Sequence, residues 1–305
     1  MISKAVIEAI QRFVPYENIR LQEPMADHTT FRIGGPADCF VQLENEQQLK
    51  KLQKYLGLAG VPFFVTGNGS NLLVSDAGYQ GVILQIGSGM SDIRVEGCRV
   101  VAKAGASLAQ TARKALEYGL TGLEFASGIP GTVGGGVVMN AGAYGGEMCQ
   151  VVTQVTVVNQ DGETMELDNE TMEFGYRTSV IRHSTFIVTE VVFSLEHGDR
   201  DVIRARMEEL AERRREKQPL EYPSAGSTFK RPEGHFAGKL IMEAGFRGFQ
   251  IGGARVSDKH CGFIINTGNA TARDVLDVIA RVQAGVKDKF HVDLETEIVC
   301  LGSLR

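Results

Sequence analysis

Three short segments carry residue types suited to charge and proton chemistry. In HVDLETEIVCLG (291–302), strict alternation reads as a strand. Val292, Leu294, Thr296, Ile298 and Cys300 share one face, and Asp293, Glu295, Glu297, Val299 and Leu301 share the other. Glu297 stands where the second face turns from acidic to apolar, a place where a carboxylate pKa is easily raised. Three solvated acids are the competing reading. In FGYRTS, Arg177 follows Tyr176 ahead of an apolar strand, as either a surface residue or a fixed cation. In AGSTFKRP, Ser227 follows Gly226 and precedes Lys230 and Arg231; it is a turn residue or a hydroxyl held near cations. Gln250, before Ile251-Gly252-Gly253, reads as a turn side chain. The six histidines show no HxxxH or HExxH spacing, which argues against a metal site, and the absence of GxSxG argues against an α/β-hydrolase nucleophile.

Two glycine-rich segments could position such groups against a ligand. Thr121–Gly145 holds eight glycines in 25 residues and one charge, Glu124. That density costs backbone entropy, so something must offset it; close approach to a ligand surface is the usual reason. Ile129, Val133, Val137, Val138, Met139 and Tyr144 interrupt the glycines, unlike a polar linker. The segment therefore reads as an apolar, glycine-lined wall for a large flat cofactor. GNGSN (67–71) follows the apolar run VPFFVT, and its amides and the Ser70 hydroxyl could converge on an anion. Leu72 replaces the third glycine of a dinucleotide fingerprint, and no Gly-Lys-Ser/Thr follows. An ordinary glycine turn is an equally good reading.

The flanking pattern supplies the scaffold. Helical stripes are expected over Ser3–Phe13, after an Asn45 cap, after a Ser107 cap, over Asp201–Lys217, from His235, and after a Thr271–Asp274 capping box. Ile203, Met207 and Leu210 point inward in the fourth of these, and Arg213, Arg214, Arg215 and Lys217 complement the dipole of its last turn. Strands are expected at Phe31–Ile33 before a Gly34-Gly35 turn, at Val61–Thr66 as a buried strand, and at Gly81–Ile86. Hairpins are expected around Glu96-Gly97 and Asp161-Gly162. Composition shifts at His197-Gly198-Asp199. A domain boundary is therefore expected near residue 200. Net charge is −5, which disfavours nucleic acid and anionic membranes as partners. Five cysteines without a CxxC pair indicate a reducing, cytoplasmic setting. No apolar run reaches the ~20 residues of a membrane span.

Taken together, HTTFRIGGPAD, GNGSNLL, GIPGTVGGGVVMNAGAYGGE and FGYRTS resemble the flavin domain of the vanillyl-alcohol-oxidase/p-cresol-methylhydroxylase (PCMH-type) superfamily. AGSTFKRP, GFQIGGARVSDKHCGFIIN and LETEI narrow the resemblance to the UDP-N-acetylenolpyruvoylglucosamine reductase family, MurB, in its shorter form without the extra substrate-covering loop. Gly136, Arg247 and Cys261 depart from the pattern of that family. The resemblance implies an α+β chain: a PCMH-type FAD-binding fold of two subdomains, 1–78 and 79–198, then a C-terminal substrate domain, 199–297, with a strand over 298–305 returning to the first part. It implies FAD as cofactor, NADPH as co-substrate, and reduction of UDP-N-acetylglucosamine enolpyruvate to UDP-N-acetylmuramate by a monomer. Hydride passes from flavin N5 to C3 and a proton to C2. Arg177 and Glu297 then stabilise the enolate-like intermediate, and Ser227 supplies the proton. FAD contacts match Gly34, Gly67, Asn68, Gly69, Ser70, Asn71, Gly128, Ile129, Pro130, Gly131, Gly134, Gly135, Asn140, Ala141 and Val188. Substrate contacts match Tyr144, Tyr176, Lys217, Arg231 and Gln250. An alcohol oxidase sharing the flavin motifs, or a nucleotide-sugar-binding protein without turnover, are the alternatives; neither needs Ser227 with Glu297.

Overall fold

Side-chain caps open the long helices where the sequence places them. The computed structural model describes residues 2–303. Helix α1 is Lys4–Ile10. The Asn45 Oδ1 accepts the Gln48 amide at 3.0 Å to start α2 (Glu46–Leu58), and the Ser107 Oγ accepts the Gln110 amide at 3.1 Å to start α3 (Leu108–Glu117). A third cap was not foreseen: Thr132 accepts the Gly135 amide and opens the short α4 (Val133–Val138).

The chain divides into two units. The first comprises residues up to Leu21, Cys39–Asn68 and Gly81–Arg214. Strands β1 (Ile19–Pro24), β2 (Pro36–Leu43), β3 (Phe63–Thr66) and β5 (Tyr79–Ile86), the greater part of whose residues belong to this unit, form a sheet ordered β1-β2-β5-β3, with β3 parallel to β5. A five-stranded sheet contains β6 (Ile93–Glu96), β7 (Arg99–Lys103), β11 (Val152–Val158), β12 (Thr164–Asp168) and β13 (Ile187–Ser194), ordered β12-β11-β13-β7-β6. The β11–β12 and β6–β7 hairpins turn at the expected Asp161-Gly162 and Glu96-Gly97. Ribbons of β8 (Leu120–Thr121) with β14 (Glu196–His197), and of β9 (Gly142–Ala143) with β10 (Gly146–Glu147), complete the unit. One core cluster joins the apolar faces of α2, α3 and α4 to both sheets.

The second unit holds Gln22–Asp38, Gly69–Gln80 and the chain from Arg215 onward. Helix α5 (Arg200–Lys217) carries the chain from one unit into the other, between Arg214 and Arg215. Helix α6 (Ala237–Glu243) and the long α7 (Ala272–Phe290) share a core with the sheet β15-β16-β17 (Gln250–Ile251, Ala254–Val256, Ile264–Asn266). Val275, Val278, Ile279, Val282 and Val286 form the buried face of α7, as the periodicity requires. The chain ends with β18 (Val299–Leu301) parallel to β4 (Leu72–Val74). The mixed content agrees with the α+β class.

Three expected strands differ. Phe31–Gly35 is irregular and β2 begins after the glycine pair, because the carbonyls of Gly34 and Gly35 accept the amides of Ala26 and Met25 instead of a ladder. The strand expected at Val61–Thr66 is only Phe63–Thr66, and it is half-buried because it lies at a sheet edge. The strand expected over 291–302 is only Val299–Leu301; His291 closes α7 in a left-handed conformation, and the segment after it carries one isolated bridge among the described residues, Thr296 to Phe229. The returning strand was expected to run to 305, and its last two residues lie outside the described ones.

Helix α7 has the most elaborate start. Thr271 and Asp274 form the capping box, and the Asp76 carboxylate also accepts the Ala272 and Arg273 amides at 2.8 and 3.1 Å. The amides of Thr271 and Gly253 hold the Asp274 carboxyl below the usual aspartate range. A lowered folded-state pKa adds stability at neutral pH that is lost as pH falls below the ordinary range and through the folded value. Thr271→Ala is expected to cost about 1 kcal/mol in urea unfolding at pH 7. Asp274→Asn should flatten the acid limb of stability against pH; an unchanged limb would show that the carboxylate adds nothing to the cap.

Candidate functional site

Three left-handed residues that are not glycine lie in the expected site region of the first unit: Asn140 (φ 40°), Tyr144 (φ 55°) and Arg177 (φ 57°). Such conformations cost energy and persist where the surroundings enforce them, often at ligand sites. The enforcement is visible. The buried Asn140 amide donates to Glu147 Oε2 at 3.2 Å and to the Gly175 carbonyl at 3.0 Å, while its oxygen accepts the Cys149 amide at 2.9 Å. Its side chain thus braces the wall to the FGYRTS loop. A Gly175–Thr178 bridge closes that loop, and the Ser179 hydroxyl donates to the Val138 carbonyl at 2.9 Å. The Arg177 guanidinium donates to the Gly142 carbonyl at 3.2 Å and lies 5.0 Å from the centre of the half-exposed Tyr176 ring. Arg182 donates to the Arg177 carbonyl at 2.9 Å.

The glycine wall has two faces. A Cβ at Gly134 would lie 2.9 Å from Ala104 Cβ, and one at Gly136 would lie 3.1 Å from Leu108. A Cβ at Gly67 would strike the Thr132 side chain. These glycines permit close packing inside the protein, a reason for glycine density that composition alone could not separate from ligand contact. Gly128, Pro130 and Gly135 are exposed, although a Cβ at Gly128 would strike the Arg214 side chain. Around Gly135 a Cβ would meet only the Thr132 hydroxyl, at 3.5 Å. Ile129, Gly131 and Ala141 are half-buried between these faces, and Val188 lies in the core on β13. Asn68 is exposed at the end of the first unit's share of the GNGSN turn.

In the second unit, Gly34, Gly69, Ser70 and Asn71 come together with Ser227 and Glu297 through main-chain bonds. Thr30 donates its amide to the Gly69 carbonyl at 3.3 Å and its hydroxyl to the Ser224 carbonyl at 2.7 Å. Gly69, at φ 60°, allows this approach, since a Cβ there would strike the His28 carbonyl. Glu297 donates its amide to the Thr228 carbonyl at 2.8 Å, and Lys230 does the same to Glu295 at 2.8 Å. Ser227 bridges Phe263 on the other side. Asn71 Nδ2 donates to the Glu297 carbonyl at 3.2 Å. Ser227 and Glu297 therefore lie on adjoining segments, both partly exposed. The cations near Ser227 in sequence have partners: Lys230 pairs with Glu295 at 3.0 Å, and the Arg231 guanidinium stacks 3.9 Å from the Phe236 ring centre. Lys217 is exposed, and Gln250 donates to the Gly252 carbonyl at 2.8 Å as a turn side chain would.

One residue of the arginine cluster was misread. Arg213 is exposed and pairs with Glu209, but Arg214 is 8% exposed and lies under Gly128 and over the Tyr144 ring, with 5.6 Å to its centre. The signal was present: 203, 207, 210 and 214 continue one inward stripe at spacings of four, three and four.

Two family models divide the chain along these lines. One, described as an FAD binding domain, matches residues 37–168; the other, the C-terminal domain of UDP-N-acetylenolpyruvoylglucosamine reductase, matches 218–301. The fold and the glycine wall thus define a flavin-binding chain. The chain is 50% identical over 301 residues to UDP-N-acetylenolpyruvoylglucosamine reductase of Caldanaerobacter subterraneus, covering 99% of each. It is 49% identical to that of Clostridium botulinum strain Hall, covering 98% of this chain and 97% of the relative. The crystal structure of the reductase (MurB) from Thermus caldophilus superposes with a TM-score of 0.80 at 36% identity, covering 93% of this chain and 98% of that one. The chain belongs to the UDP-N-acetylenolpyruvoylglucosamine reductase family.

The two faces of the wall separate by substitution. Gly134→Ala is expected to destabilise the protein by about 1–3 kcal/mol through overpacking. Gly135→Ala should leave unfolding unchanged or raise stability by up to about 1 kcal/mol, while weakening FAD uptake measured by flavin fluorescence. Wild-type uptake in Gly135→Ala would remove that outer face from the cofactor site.

Proposed function

We propose that this chain catalyses FAD-dependent, NADPH-driven reduction of UDP-N-acetylglucosamine enolpyruvate to UDP-N-acetylmuramate, the UDP-N-acetylmuramate dehydrogenase reaction of peptidoglycan precursor synthesis. The support is the family membership over nearly the whole chain, joined to the placement of Ser227 beside Glu297 on hydrogen-bonded segments. The donor set fits the cofactor: an exposed glycine face for a flat ring, and an orphan guanidinium nitrogen on Arg214 next to it.

Bound FAD supplies the hydride that NADPH provides. The protein's own part is to stabilise charge and deliver a proton. As C3 of the enolpyruvyl group gains hydride, negative charge spreads over C2 and the carboxylate. Arg177, fixed in its left-handed turn, presents a permanent cation to it. Glu297, whose main chain is held at both its amide and its carbonyl, lines the same chemistry. Ser227 carries the proton for C2. Tyr144, Tyr176, Lys217, Arg231 and Gln250 are assigned to substrate, and the glycine-wall and GNGSN residues to FAD. The parts 1–78, 79–198 and 199–297 are proposed as two FAD-binding subdomains and a substrate domain, in a monomeric cytoplasmic enzyme. Among the described residues no helix is long and apolar enough to cross a membrane.

The purified holoprotein should be yellow, bleach with NADPH without oxygen, and recover colour on adding the enolpyruvyl substrate. Recovery only with oxygen would instead fit the oxidase. Ser227→Ala should bleach with NADPH at the wild-type rate and recover at least about a hundredfold more slowly, the usual worth of a general acid. Equal slowing of both half-reactions would sink the proton-donor role.

A further inference from the structure

Residues 257–263 join β16 to β17, and one imidazole shapes that connection. The half-buried His260 ring accepts the Gly262 amide on Nδ1 at 3.1 Å. A backbone amide can only donate, so Nδ1 carries no proton and the ring is the neutral tautomer protonated on Nε2. Ser257 Oγ accepts the Lys259 and His260 amides at 3.2 and 3.3 Å, and the Phe263 amide donates to the His260 carbonyl at 2.9 Å. The imidazole also meets the Phe263 ring edge to face, with 5.0 Å between centres. Two glycines leave room for it: a Cβ at Gly262 would lie 2.8 Å from the imidazole Cε1, and one at Gly238 on α6 would lie 3.5 Å from the same atom.

The Ser227 segment rests on the residues held in this way. Gly262 gives its carbonyl to the Thr228 amide at 2.8 Å, and Phe263 bridges Ser227. Gly262 and Phe263 are buried, so water does not supply their main-chain groups with replacement partners. Glu297 donates to the Thr228 carbonyl, so the carboxylate segment takes its place from the same residue.

We propose that neutral His260 is a positioning residue for proton delivery by Ser227: by holding the Gly262 amide it fixes the backbone at 262–263 against which the serine is aligned. This rests on the proton-donor reading of Ser227 above. Protonation of Nδ1 would set two donors against each other, and the bond to Gly262 would be lost. Burial pushes His260 below the ordinary histidine value of 6.5, which keeps the ring neutral at pH 7, and no carboxylate pairs with it among the described residues. The charged groups around it are engaged elsewhere. On its own connection Asp258 faces Arg255 at 3.9 Å and Lys259 faces Glu221 at 3.8 Å; on α6, Lys239 pairs with Glu243 at 3.8 Å.

The test compares His260→Ala and His260→Asn with wild type and Ser227→Ala, as holoprotein, with the two half-reactions followed separately. His260→Asn offers an amide oxygen at the position of Nδ1, an acceptor that does not titrate; His260→Ala removes the acceptor. Bleaching by NADPH should run at the wild-type rate in both. Recovery of colour with the enolpyruvyl substrate should be about tenfold or more slower in His260→Ala and return to near the wild-type rate in His260→Asn. In wild type the recovery rate should fall as pH drops below 6.5 through the lowered folded value, because protonation releases the Gly262 amide; His260→Asn should lack this limb. In apoprotein, hydrogen exchange at the Gly262 and Thr228 amides should quicken in His260→Ala and not in His260→Asn. Equal slowing of both half-reactions in His260→Ala, an Asn variant as slow as the Ala one, or an acid limb retained in His260→Asn would overturn the proposal. Should His260→Ala fail to fold, the Asn variant and its pH profile decide. Wild-type recovery in Ser227→Ala would overturn the proton-donor reading instead. Slow recovery in Ser227→Ala beside wild-type recovery in His260→Ala would overturn the positioning role alone.

Discussion

The amide of Glu297 donates to the carbonyl of Thr228, and the chemistry of the second unit depends on that bond. Neither residue lies in a regular element. Buried main-chain groups outside helices and sheets must still find partners, and here irregular segments serve one another. Thr228 also gives its hydroxyl as acceptor to the Ile264 amide at 3.1 Å, tying the serine segment to β17. Asn71 accepts the Val299 amide at 2.8 Å and donates to the Glu297 carbonyl, tying the glycine turn to the same place. Three segments distant in sequence, at Asn71, Thr228 and Glu297, are thereby held to a fixed spacing without a ladder. A hydroxyl and a carboxylate intended for one reacting group need such fixed placement, because small displacements cost large factors in rate.

The first unit solves the same problem by backbone strain. Asn140, Tyr144 and Arg177 occupy a conformation that L-residues avoid, and each is over-determined by bonds or stacking from its neighbours. Their shared feature is a side chain directed by a turn rather than by a helix or strand. The strain at these positions is supported by the five-stranded sheet and α4, which pack to a single core beneath them.

How far sequence reaches depends on how local the cause is. The caps at Asn45, Ser107 and Thr271 and the buried face of α7 were legible because each is decided within a few residues. The terminal strand was not, since alternation over 291–302 is also produced by a segment whose partners are single bridges from Phe229 and the Thr228 carbonyl. Glycine density was legible as a demand for close approach, but not as to what approaches: Ala104, Leu108 and Thr132 claim part of it. Arg214 followed the inward stripe of α5 and was still read only as complementing the helix dipole, because a basic residue in a last helical turn has that ready explanation. The roles of Arg177, Ser227 and Glu297 came from resemblance, since each residue type alone has a common structural use.

Charge sets the final constraint. The chain carries a net −5, while FAD, NADPH and a UDP-sugar are all anions. Attraction between these ligands and the protein cannot arise from overall charge, so it has to be local, where low-dielectric walls keep a field from being screened. A cation on the surface would be weakened by salt and by the acidic groups around it, as Arg213 is by Glu209. A cation placed under glycine escapes both. Arg177 has its guanidinium on a main-chain carbonyl, and Arg214 lies over an aromatic ring. Glycine at 128 and the arginine at 214 belong together in packing: without a Cβ at 128 there is space for the guanidinium to lie buried against the backbone.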